Sequence, residues 1–497
     1  MTTASAIARR HAEAISRLPF TDTDDLWIDG AWVAAAGDRR TPVVDPATGV
    51  AWGCVAEATS GDVDRAVAAA GAALPGWAAR TPAERAELLR RFAVALERRG
   101  DPLSVTNTLE NGSPVAETAG AAASAAGILR AFATLSEWLE APDVRPFPDG
   151  RHETAVLRDP IGVCALIAPW NFPINLVMIK LAPALLAGCT VVIKPASPTP
   201  LSLRFVLEAA HEAGVPHGVI NAVTGGGEVG DALVRHRGIA KVAFTGSTPV
   251  GRRIAAACGE LLRPVTLELG GKSSAIVLPD ADLDALSSIL VRSCLRNTGQ
   301  TCYISTRLLV TPERYDDVVS MVAETISAAA VGDPLDPATV FGPVATATQR
   351  DTVRSYIEAG IAEGARVVVG GDVPPPIPDG AFIAPTVFAD VTASMRVARE
   401  EIFGPVLTIL PCRDERHAVE VANDTDFGLG GIVFGADEDH AFEVARRVDS
   451  GSVGVNFFGS NHFAPFGGRR DSGLGVEYGI EGLSAYLTVK SVHRSHR

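Results

Sequence analysis

A cysteine on a turn that begins with glycine is the residue of this chain best suited to act as a nucleophile. The stretch Gly299-Gln300-Thr301-Cys302 follows an apolar segment, Leu286 to Asn297, that is typical of a helix. Upstream, Glu268 lies in an alternating run that breaks at Gly270 and Gly271, where a backbone can approach a cofactor. A thiol nucleophile and a carboxylate base are therefore available, although one cysteine taken alone is more often a small buried hydrophobe.

An asparagine between two prolines is the second group with a chemical use. Asn171 stands in Pro169-Trp170-Asn171-Phe172-Pro173, directly after an apolar stretch that is typical of a strand. Its side-chain amide could donate a hydrogen bond to an oxyanion that develops during a reaction. A structural turn is an equally good interpretation of this restricted backbone, so the segment alone does not decide between the two.

Two glycine-rich turns compete as the cradle for a phosphate group. Residues 225–230, with Gly226 and Gly230, match the dinucleotide fingerprint, but no Asp or Glu lies between Asp231 and Glu260, where a ribose-binding acid belongs. Residues 244–251 also follow a strand, and the Ser247 hydroxyl stands before a helix whose N-terminus suits a pyrophosphate. We therefore rank the second turn higher.

The elements that must position these groups follow an α/β pattern. Apolar runs at 162–168, 190–193, 219–223 and 240–244 alternate with helical stretches, which predicts a parallel sheet covered on both faces. Such a sheet binds ligands at the carboxyl ends of its strands. Lys194 ends one of these strands with a cation that could bond ribose hydroxyls or a 2′-phosphate, although a single lysine is usually a solvated charge.

The remaining chain supplies a second domain and two outlying elements. After Gly271 a further series of strands and helices predicts a second α/β domain that carries Cys302. Residues 26–33 predict a hairpin around Asp-Gly, and residues 115–139 predict an alanine-rich helix. The final apolar stretch, Ala485 to Val489, predicts an isolated strand that needs a partner from elsewhere in the fold or from another subunit.

Composition narrows the class of protein. The 497 residues are 47% hydrophobic and 21% charged with a net charge of -14, and no run reaches the roughly 18 apolar residues of a membrane helix. We therefore expect a soluble protein with no nucleic-acid or membrane partner, because those polyanions would repel it. The seven cysteines are scattered and never spaced as CxxC, which predicts free thiols in a reducing, cytoplasmic setting and no metal site.

Taken together, these stretches resemble the NAD(P)-dependent aldehyde dehydrogenase superfamily from Trp27 to Tyr486. The resemblance is carried by an ordered set of motifs: Pro169-Trp170-Asn171-Phe172-Pro173, Lys194-Pro195-Ala196, Phe244-Thr245-Gly246-Ser247, Leu267-Glu268-Leu269-Gly270-Gly271, Gly299-Gln300-Thr301-Cys302, Glu401-Ile402-Phe403-Gly404-Pro405 and Pro465-Phe466-Gly467-Gly468. It implies a Rossmann-like NAD(P)-binding domain (residues 1–139 and 161–268), a second α/β catalytic domain (269–478), and a small β oligomerisation arm (140–160) with a C-terminal strand (479–497).

The resemblance also implies a division of labour among the residues. Cys302 would attack an aldehyde as the thiolate, Asn171 and the backbone N–H of Cys302 would hold the oxyanion, and hydride would pass to the nicotinamide. Glu268 would activate the water that hydrolyses the resulting thioester to a carboxylic acid. No metal is required. The cofactor would be bound by Ile167, Pro169, Trp170, Lys194, Ser197, Gly226, Gly230, Phe244, Thr245, Gly246, Ser247, Val250, Leu269, Gly270, Glu401 and Phe403.

Specificity is less constrained by these motifs. Many family members have Glu where this chain has Ser197, and serine removes the repulsion of a 2′-phosphate, so we expect use of both NAD and NADP. No arginine closer in sequence than Arg307 stands beside Cys302 to receive an acidic semialdehyde. An aromatic pocket, which favours an apolar or aromatic aldehyde, would be lined by Phe172, Tyr303, Phe458, Phe463 and Phe466.

The resemblance further implies a homodimer or homotetramer, in which the arm pairs with the strand at 485–489 of a neighbour. Two alternatives to a hydrolytic aldehyde dehydrogenase stay open. A CoA-acylating relative would transfer the acyl group to a thiol, and that branch commonly lacks the base found here as Glu268. A non-catalytic nucleotide-binding relative would bind the cofactor without turnover.

Overall fold

The computed structural model describes residues 3–20, 23–371, 373, 374 and 377–495, so the first and last two residues of the predicted domain ranges lie outside it. The helices are α1 (Thr3–Ser16), α2 (Ser60–Ala78), α3 (Pro82–Glu97), α4 (Gly100–Asn111), α5 (Val115–Thr118), α6 (Ala121–Thr134), α7 (Ser136–Glu140), α8 (Pro173–Ala187), α9 (Ser202–Glu212), α10 (Gly227–Arg235), α11 (Thr248–Glu260), α12 (Leu283–Cys294), α13 (Tyr315–Ala328), α14 (Ala347–Ala362), α15 (Arg396–Arg399), α16 (Glu415–Asn423), α17 (Glu438–Ala445) and α18 (Gly479–Ser484), with 3-10 turns at Pro312–Arg314 and Arg470–Ser472.

The strands complete the architecture. They are β1 (Asp25–Ile28), β2 (Ala31–Ala34), β3 (Arg40–Val44), β4 (Ala51–Ala56), β5 (Val144–Pro146), β6 (His152–Pro160), β7 (Val163–Ile167), β8 (Thr190–Lys194), β9 (Ile220–Ala222), β10 (Lys241–Thr245), β11 (Val265–Glu268), β12 (Ser274–Val277), β13 (Arg307–Val310), β14 (Arg366–Val369), β15 (Thr386–Ala389), β16 (Val406–Pro411), β17 (Gly431–Phe434), β18 (Gly454–Val455), β19 (Gly473–Leu474) and β20 (Leu487–Ser495).

The first sheet has the order β19-β11-β10-β7-β8-β9-β1-β2, and its five central strands are parallel. Strands β7, β8 and β10 are buried along their whole length because helices cover both faces, as the near-continuous apolar runs predict. The predicted hairpin is confirmed as β1 and β2, joined through Asp29 and Gly30 in the left-handed region. The carboxyl ends of β7, β8, β10 and β11 therefore meet at one edge.

The second sheet has the order β14-β15-β16-β13-β12-β17-β18 and is parallel except for the β14–β15 pair. It confirms the second α/β unit expected after Gly271. A connection from the end of α12 to the start of β13 carries Cys302. Since β19 comes from this late part of the chain and pairs antiparallel with β11, the two sheets are tied together beside Glu268.

The third sheet has the order β20-β6-β5 and corrects one expectation. The final strand begins at Leu487 rather than Ala485, and it pairs antiparallel with β6 of the same chain over nine residues. The prediction that this strand is completed by a neighbour's arm was therefore wrong, because β6 supplies the hydrogen bonds itself. The outer face of β20 remains exposed, including Val489.

The alanine-rich stretch predicted as one helix is divided into α5, α6 and α7, with breaks at Gly120 and Leu135. By length and composition alone, residues 115–140 would also be apolar enough to cross a membrane. Helix α6 instead packs between α3 and α8, and Ala125, Ile128 and Leu129 lie in the core of the first domain. Its apolar character is explained by this packing.

Candidate active site

The loop that carries Cys302 is held in a tight left-handed turn. Asn297, Thr298 and Gly299 follow one another with φ values of 54°, 54° and 76°. A Cβ added at Gly299 would lie 1.9 Å from the carbonyl oxygen of Gly404, so only glycine fits there. The next side chain, Gln300, is fully buried and accepts a hydrogen bond from the Ala345 amide at 2.9 Å. The turn therefore delivers Cys302 in a fixed position.

Asn171 lies on the first domain at the carboxyl end of β7 and reaches the cysteine loop. Its Nδ2 donates to the carbonyl oxygen of Gln300 at 2.9 Å, and its own carbonyl accepts from Asn297 Nδ2 at 2.9 Å. The Asn171 side chain is 3% exposed. Because both contacts cross from the first domain to the second, the segment between the prolines and the cysteine loop are positioned by each other.

Glu268 ends β11, opposite Thr245 on β10. It is buried, and neither carboxylate oxygen has a hydrogen-bond partner in the described part of the chain. Burial raises the pKa of Glu268 well above its usual range, and the nearby Glu477 carboxylate raises it further, while Lys180 acts in the opposite direction. A buried carboxyl with both oxygens unsatisfied is costly unless a ligand or water uses it.

Beside Glu268 lies an ion pair that the sequence motifs do not reveal. Lys180, fully buried on α8, donates to Glu477 Oε1 and to Thr245 Oγ1, both at 2.6 Å. Glu477 Oε2 is buried without a partner among the described residues. The cation of this pair is the charge that partly counteracts the high pKa of Glu268.

The Cys302 thiol is half-buried, and its backbone passes close to the glycine pair that follows β11. A Cβ at Gly271 would lie 2.3 Å from the Cys302 carbonyl oxygen. Burial raises the pKa of the thiol far above its ordinary value, and the Glu401 and Glu268 carboxylates raise it further. The thiol is therefore neutral in this environment, and forming the nucleophilic thiolate requires a positive charge or a base beside it.

The residues after β8 lie at the carboxyl edge of the first sheet. Lys194 is buried with its Nζ donating to the Pro195 carbonyl at 3.2 Å, and burial lowers the Lys194 pKa to about 8. Its side chain packs on Gly230, where a Cβ would lie 3.6 Å from Lys194 Cδ. Ser197 donates to the Gly225 carbonyl at 3.1 Å, so the fingerprint turn and the Lys194 strand end meet.

The second glycine turn lies beside the first. Ser247 is the N-cap residue of α11, but its side chain makes no capping hydrogen bond. This side chain is exposed at the helix N-terminus. Gly246 donates its amide to the Glu268 carbonyl at 3.0 Å, and an added Cβ would enter the Phe244 ring. The buried Leu269 fills the space against Gly251 and the half-buried Val250 lies one residue earlier. Gly226 precedes α10 with open space around its Cα.

Residues from the later part of the chain contact the glycine pair that follows β11. Glu401 Oε1 accepts the Gly271 amide at 3.0 Å, and burial raises the Glu401 pKa to about 7. Its other oxygen lies 2.4 Å from where a Cβ would stand on Gly270. Phe403, with φ of 57°, meets the Trp170 ring edge-on at 5.3 Å. Of the remaining cofactor candidates, Ile167 and Pro169 lie at the end of β7 beside Trp170.

The aromatic residues predicted for the substrate pocket divide into a cluster and an outlier. Tyr303 stacks on Phe458 at 5.0 Å and meets Phe466 edge-on at 6.3 Å. Phe172 joins them through Arg296, whose guanidinium lies 5.0 Å over the Phe172 ring and donates to the Tyr303 hydroxyl at 2.7 Å. Phe463 is 63% exposed and stands apart from this cluster.

A cavity of about 230 Å³ opens beside Asn171 and Phe172, and Arg296 is one of its walls. The sequence search for an arginine near Cys302 pointed to Arg307, but Arg307 is buried and donates to the carbonyls of Val421 and Ala422. The sequence alone does not predict a role for Arg296. It lies between the end of α12 and the left-handed turn, where a charged residue is usually exposed to solvent. In the described part of the chain, no cluster of three or more His, Cys, Asp or Glu side chains is arranged to hold a metal ion.

Comparison with known proteins agrees with this geometry. The model of the aldehyde dehydrogenase family matches residues 32–492. The chain is 50% identical to geranial dehydrogenase of Castellaniella defragrans, covering 95% of this chain and 99% of that protein. It is 42% identical to betaine aldehyde dehydrogenase of Brucella melitensis, covering 94% and 96%.

A solved structure extends the comparison to the fold. Aldehyde dehydrogenase C of Pseudomonas syringae, a cysteine-to-alanine mutant in complex with NAD+ and octanal, superposes with a TM-score of 0.92 at 40% identity and covers 96% of this chain and 98% of its own. Members of this group use NAD or NADP. The chain belongs to the aldehyde dehydrogenase family and is an NAD(P)-dependent oxidoreductase that converts an aldehyde to a carboxylic acid.

Proposed function

We propose that Cys302, Asn171 and Glu268 are the catalytic residues of this enzyme and that its substrate is an uncharged apolar or aromatic aldehyde. The observation that carries the assignment is the meeting of three elements from two domains. The Asn171 amide hydrogen-bonds to the residue two before Cys302, and Glu268 is close enough to the thiol to raise its pKa. A nucleophile, an oxyanion donor and an unpaired base in one place are the parts that acyl chemistry needs.

The Cys302 thiol first gives its proton to the Glu268 carboxylate, and the resulting thiolate attacks the aldehyde carbon. The C=O bond becomes a single bond, and its oxygen takes the negative charge of a thiohemiacetal. Asn171 Nδ2 and the backbone N–H of Cys302 donate to that oxygen, which requires Asn171 to release or share its bond to the Gln300 carbonyl. When bound, a nicotinamide cofactor would supply a positive charge that favours the thiolate and would take up the hydride. Loss of hydride leaves a thioester on Cys302.

Hydrolysis of the thioester is assigned to Glu268. Its carboxylate, after passing the thiol proton to solvent, accepts a proton from water, the hydroxyl oxygen bonds to the thioester carbon, and the Cys302 sulfur leaves. The absence of a hydrogen-bond partner on either oxygen within the described residues leaves both free for that water. Lys180 stabilises the charged form of Glu268 that performs the step.

The residues at the carboxyl edge of the first sheet suit the dinucleotide. Exposed Ser247 at the start of α11 suits the pyrophosphate, and Lys194 has one backbone partner, which leaves its other protons for ribose hydroxyls. Glu401 and Phe403 are assigned to the nicotinamide end, with Trp170 beside them. Ser197 brings no carboxylate to the adenosine end, so we propose that NADP is used as well as NAD.

The assignment extends to the whole molecule. We propose the domain division 1–139 with 161–268, 269–478, and 140–160 with 479–497, and a dimer or tetramer formed through the exposed face of β20. Seven unpaired cysteines support a cytoplasmic location. The aromatic cluster of Phe172, Tyr303, Phe458 and Phe466 supports an apolar substrate, in line with the octanal and geranial named for relatives.

The test is formation of reduced cofactor by the purified enzyme with octanal, measured separately with NAD and with NADP. We expect turnover with both cofactors and its loss in Cys302→Ala, while the variant still binds NAD in a titration followed by tryptophan fluorescence. The exposed Cys54→Ala is the matched control and should keep full activity. Undiminished turnover in Cys302→Ala would overturn the assignment.

A CoA-acylating reaction is distinguished in the same assay. With CoA added, a hydrolytic enzyme releases octanoate at an unchanged rate, whereas an acylating enzyme makes octanoyl-CoA and depends on CoA. Cofactor binding without any turnover of octanal, benzaldehyde or geranial would support a non-catalytic relative.

A further inference from the structure

The cavity beside Asn171 has a charged wall that the aromatic cluster does not predict. It is lined by residues of α4, α5, α6 and α8 together with Arg296, and its polar lining residues include Asn107, Ser113, Glu117, Ser124 and Asn175. Arg296 is held from two directions, with Nε donating to Glu117 Oε2 at 2.9 Å and Nη1 to the Tyr303 hydroxyl at 2.7 Å. Its guanidinium is therefore held in one position, between the cavity and Tyr303, the residue that follows Cys302.

The position of this guanidinium matters because of what lies under it. The Phe172 ring, directly after Asn171, is covered by Arg296 at 5.0 Å. An aromatic face at this distance is the feature with which proteins bind quaternary ammonium groups. In this structure the guanidinium of Arg296 already lies over the Phe172 ring, and one face of the Tyr303 ring is covered by Phe458. An aldehyde with a positive charge would therefore meet a fixed guanidinium instead of an open ring.

Among the described residues that line the cavity, Glu117 is the only carboxylate. Glu117 is committed to Arg296 in a salt bridge whose side chains are 29% and 30% exposed. Glu268 is not among the residues that line this cavity. The wall is neutral as a pair but presents its positive end over the ring.

We infer that Arg296 sets the charge selectivity of the aldehyde cavity, so that neutral aldehydes are accepted and aldehydes carrying a quaternary ammonium group are rejected. The inference rests on the proposed function and adds a specificity-determining residue to it. We expect this selectivity to distinguish the chain from betaine aldehyde dehydrogenase of Brucella melitensis, to which it is 42% identical.

The test uses two aldehydes of the same shape and different charge. Betaine aldehyde and 3,3-dimethylbutanal differ only in the replacement of a quaternary nitrogen by carbon. We expect kcat/KM of the wild-type enzyme to favour the neutral aldehyde, and Arg296→Met to reduce that preference by at least about tenfold. Each variant is described by the ratio of its kcat/KM values for the two aldehydes. The two aldehydes are hydrated to different extents in water, but this difference is the same for every variant and cancels when the ratios are compared.

Two further variants sharpen the result. Glu117→Gln leaves the guanidinium uncompensated and should increase the preference for the neutral aldehyde, which a merely structural role would not do. Arg292→Met removes the same charge from the exposed face of α12, one turn away, and should leave the ratio unchanged. An unchanged ratio in Arg296→Met, with turnover of the neutral aldehyde retained, would overturn the inference.

The inference and the proposed function can fail separately. Absence of turnover with every aldehyde and both cofactors contradicts the proposed oxidation. The charge selectivity is then decided by calorimetric titration of the two aldehydes into Cys302→Ala and into Cys302→Ala/Arg296→Met. The charge selectivity is supported if Cys302→Ala binds the neutral aldehyde more tightly than betaine aldehyde and this difference is absent in Cys302→Ala/Arg296→Met. It is overturned if the two aldehydes bind equally well to each of the two proteins.

Discussion

Among single residues, the protonation state of Glu268 decides whether the proposed hydrolysis can proceed. Burial raises its pKa well above the usual range of a glutamate, and Lys180 offsets this only in part. The protonated carboxyl cannot accept a proton from water, so the active fraction of the enzyme grows as the pH rises toward the raised pKa. The thiol of Cys302 follows the same direction, because its raised pKa also favours the neutral form at low pH.

Replacing Glu268 should therefore change both the rate and its pH dependence. In Glu268→Gln we expect steady-state kcat to fall by about 10²–10⁴, the range that a general base contributes. A first turnover should still release reduced cofactor, although more slowly, since the thioester forms before the water step and the thiol can lose its proton to solvent. Stopped-flow absorbance over a pH series measures both quantities. Glu260→Gln, exposed on α11, is the control, and an unchanged steady-state rate in Glu268→Gln would contradict the role.

Sequence reasoning proposed Glu268, Cys302 and Asn171 as catalytic residues because each lies in a short motif. It missed Lys180 and Arg296 for a physical reason. Lys180 stands in an apolar helix and owes its environment to Glu477, 297 residues away in the chain. Arg296 acquires its meaning only from Glu117 and Phe172, which come from other elements. Partners distant in sequence cannot be read from local spacing.

At the scale of elements, the turn before Cys302 is a more demanding structure than its composition indicates. Three residues in succession adopt positive φ, and two of them, Asn297 and Thr298, have side chains. Asn297 is stabilised by its hydrogen bond to the Asn171 carbonyl. The turn is thus maintained by contacts from the first domain, and its geometry and the position of the thiol depend on each other.

Gly299→Ala tests this dependence. The added methyl group would overlap the Gly404 carbonyl and sit at φ of 76°, so we expect a loss of at least about 2 kcal/mol in the free energy of unfolding and a large fall in kcat/KM. Gly259→Ala is the matched control, because Gly259 is exposed within α11 with open space around it. That change should leave activity intact and be neutral or slightly stabilising. Thermal melts and aldehyde assays on both variants decide the matter.

Regular elements were predicted more completely than this turn. The apolar runs located β7, β8, β9 and β10, because strands buried on both faces leave an unmistakable pattern. The start of α3 also carries a local signal, because Thr81 and Glu84 form a capping box there. The predicted helix at 115–139 was too long, since alanine-rich sequence does not reveal the breaks at Gly120 and Leu135.

At the scale of the whole molecule, a buried histidine fastens helix α1 to the rest of the chain. His11 bonds Asp45 through Nδ1 at 2.7 Å and Asp333 through Nε2 at 2.9 Å. Burial lowers the His11 pKa, but the hydrogen bonds to Asp333 and Asp45 outweigh it and raise the pKa to about 9. A charged imidazolium thus joins α1, the β3–β4 connection and a loop of the second domain.

This contact should make the docking of α1 depend on pH. Because the folded pKa exceeds the unfolded value of 6.5, the stabilisation is complete below about pH 6.5 and is lost as the pH rises through about 9. We expect His11→Phe to destabilise α1 by about 1–3 kcal/mol at pH 6 and by much less at pH 10. Hydrogen exchange of the α1 amides measures it, with Arg10→Gln, a half-exposed partner of Asp333, as the control. Equal effects at both pH values would contradict the charged contact.

The pairing of β20 with β6 has a consequence for how the protein is made. The ribosome adds about 330 residues after β6 before it reaches β20, which takes about 15–65 s at 5–20 residues per second. During that interval one edge of the nine-residue strand β6 has no partner. Other nascent chains that are being translated from the same mRNA expose the same unpaired edge. Exposed strands of this kind pair with each other. Slow or interrupted translation should therefore increase aggregation. A chain released before residue 487 would lack β20, and the edge of β6 would stay unpaired and available to other chains.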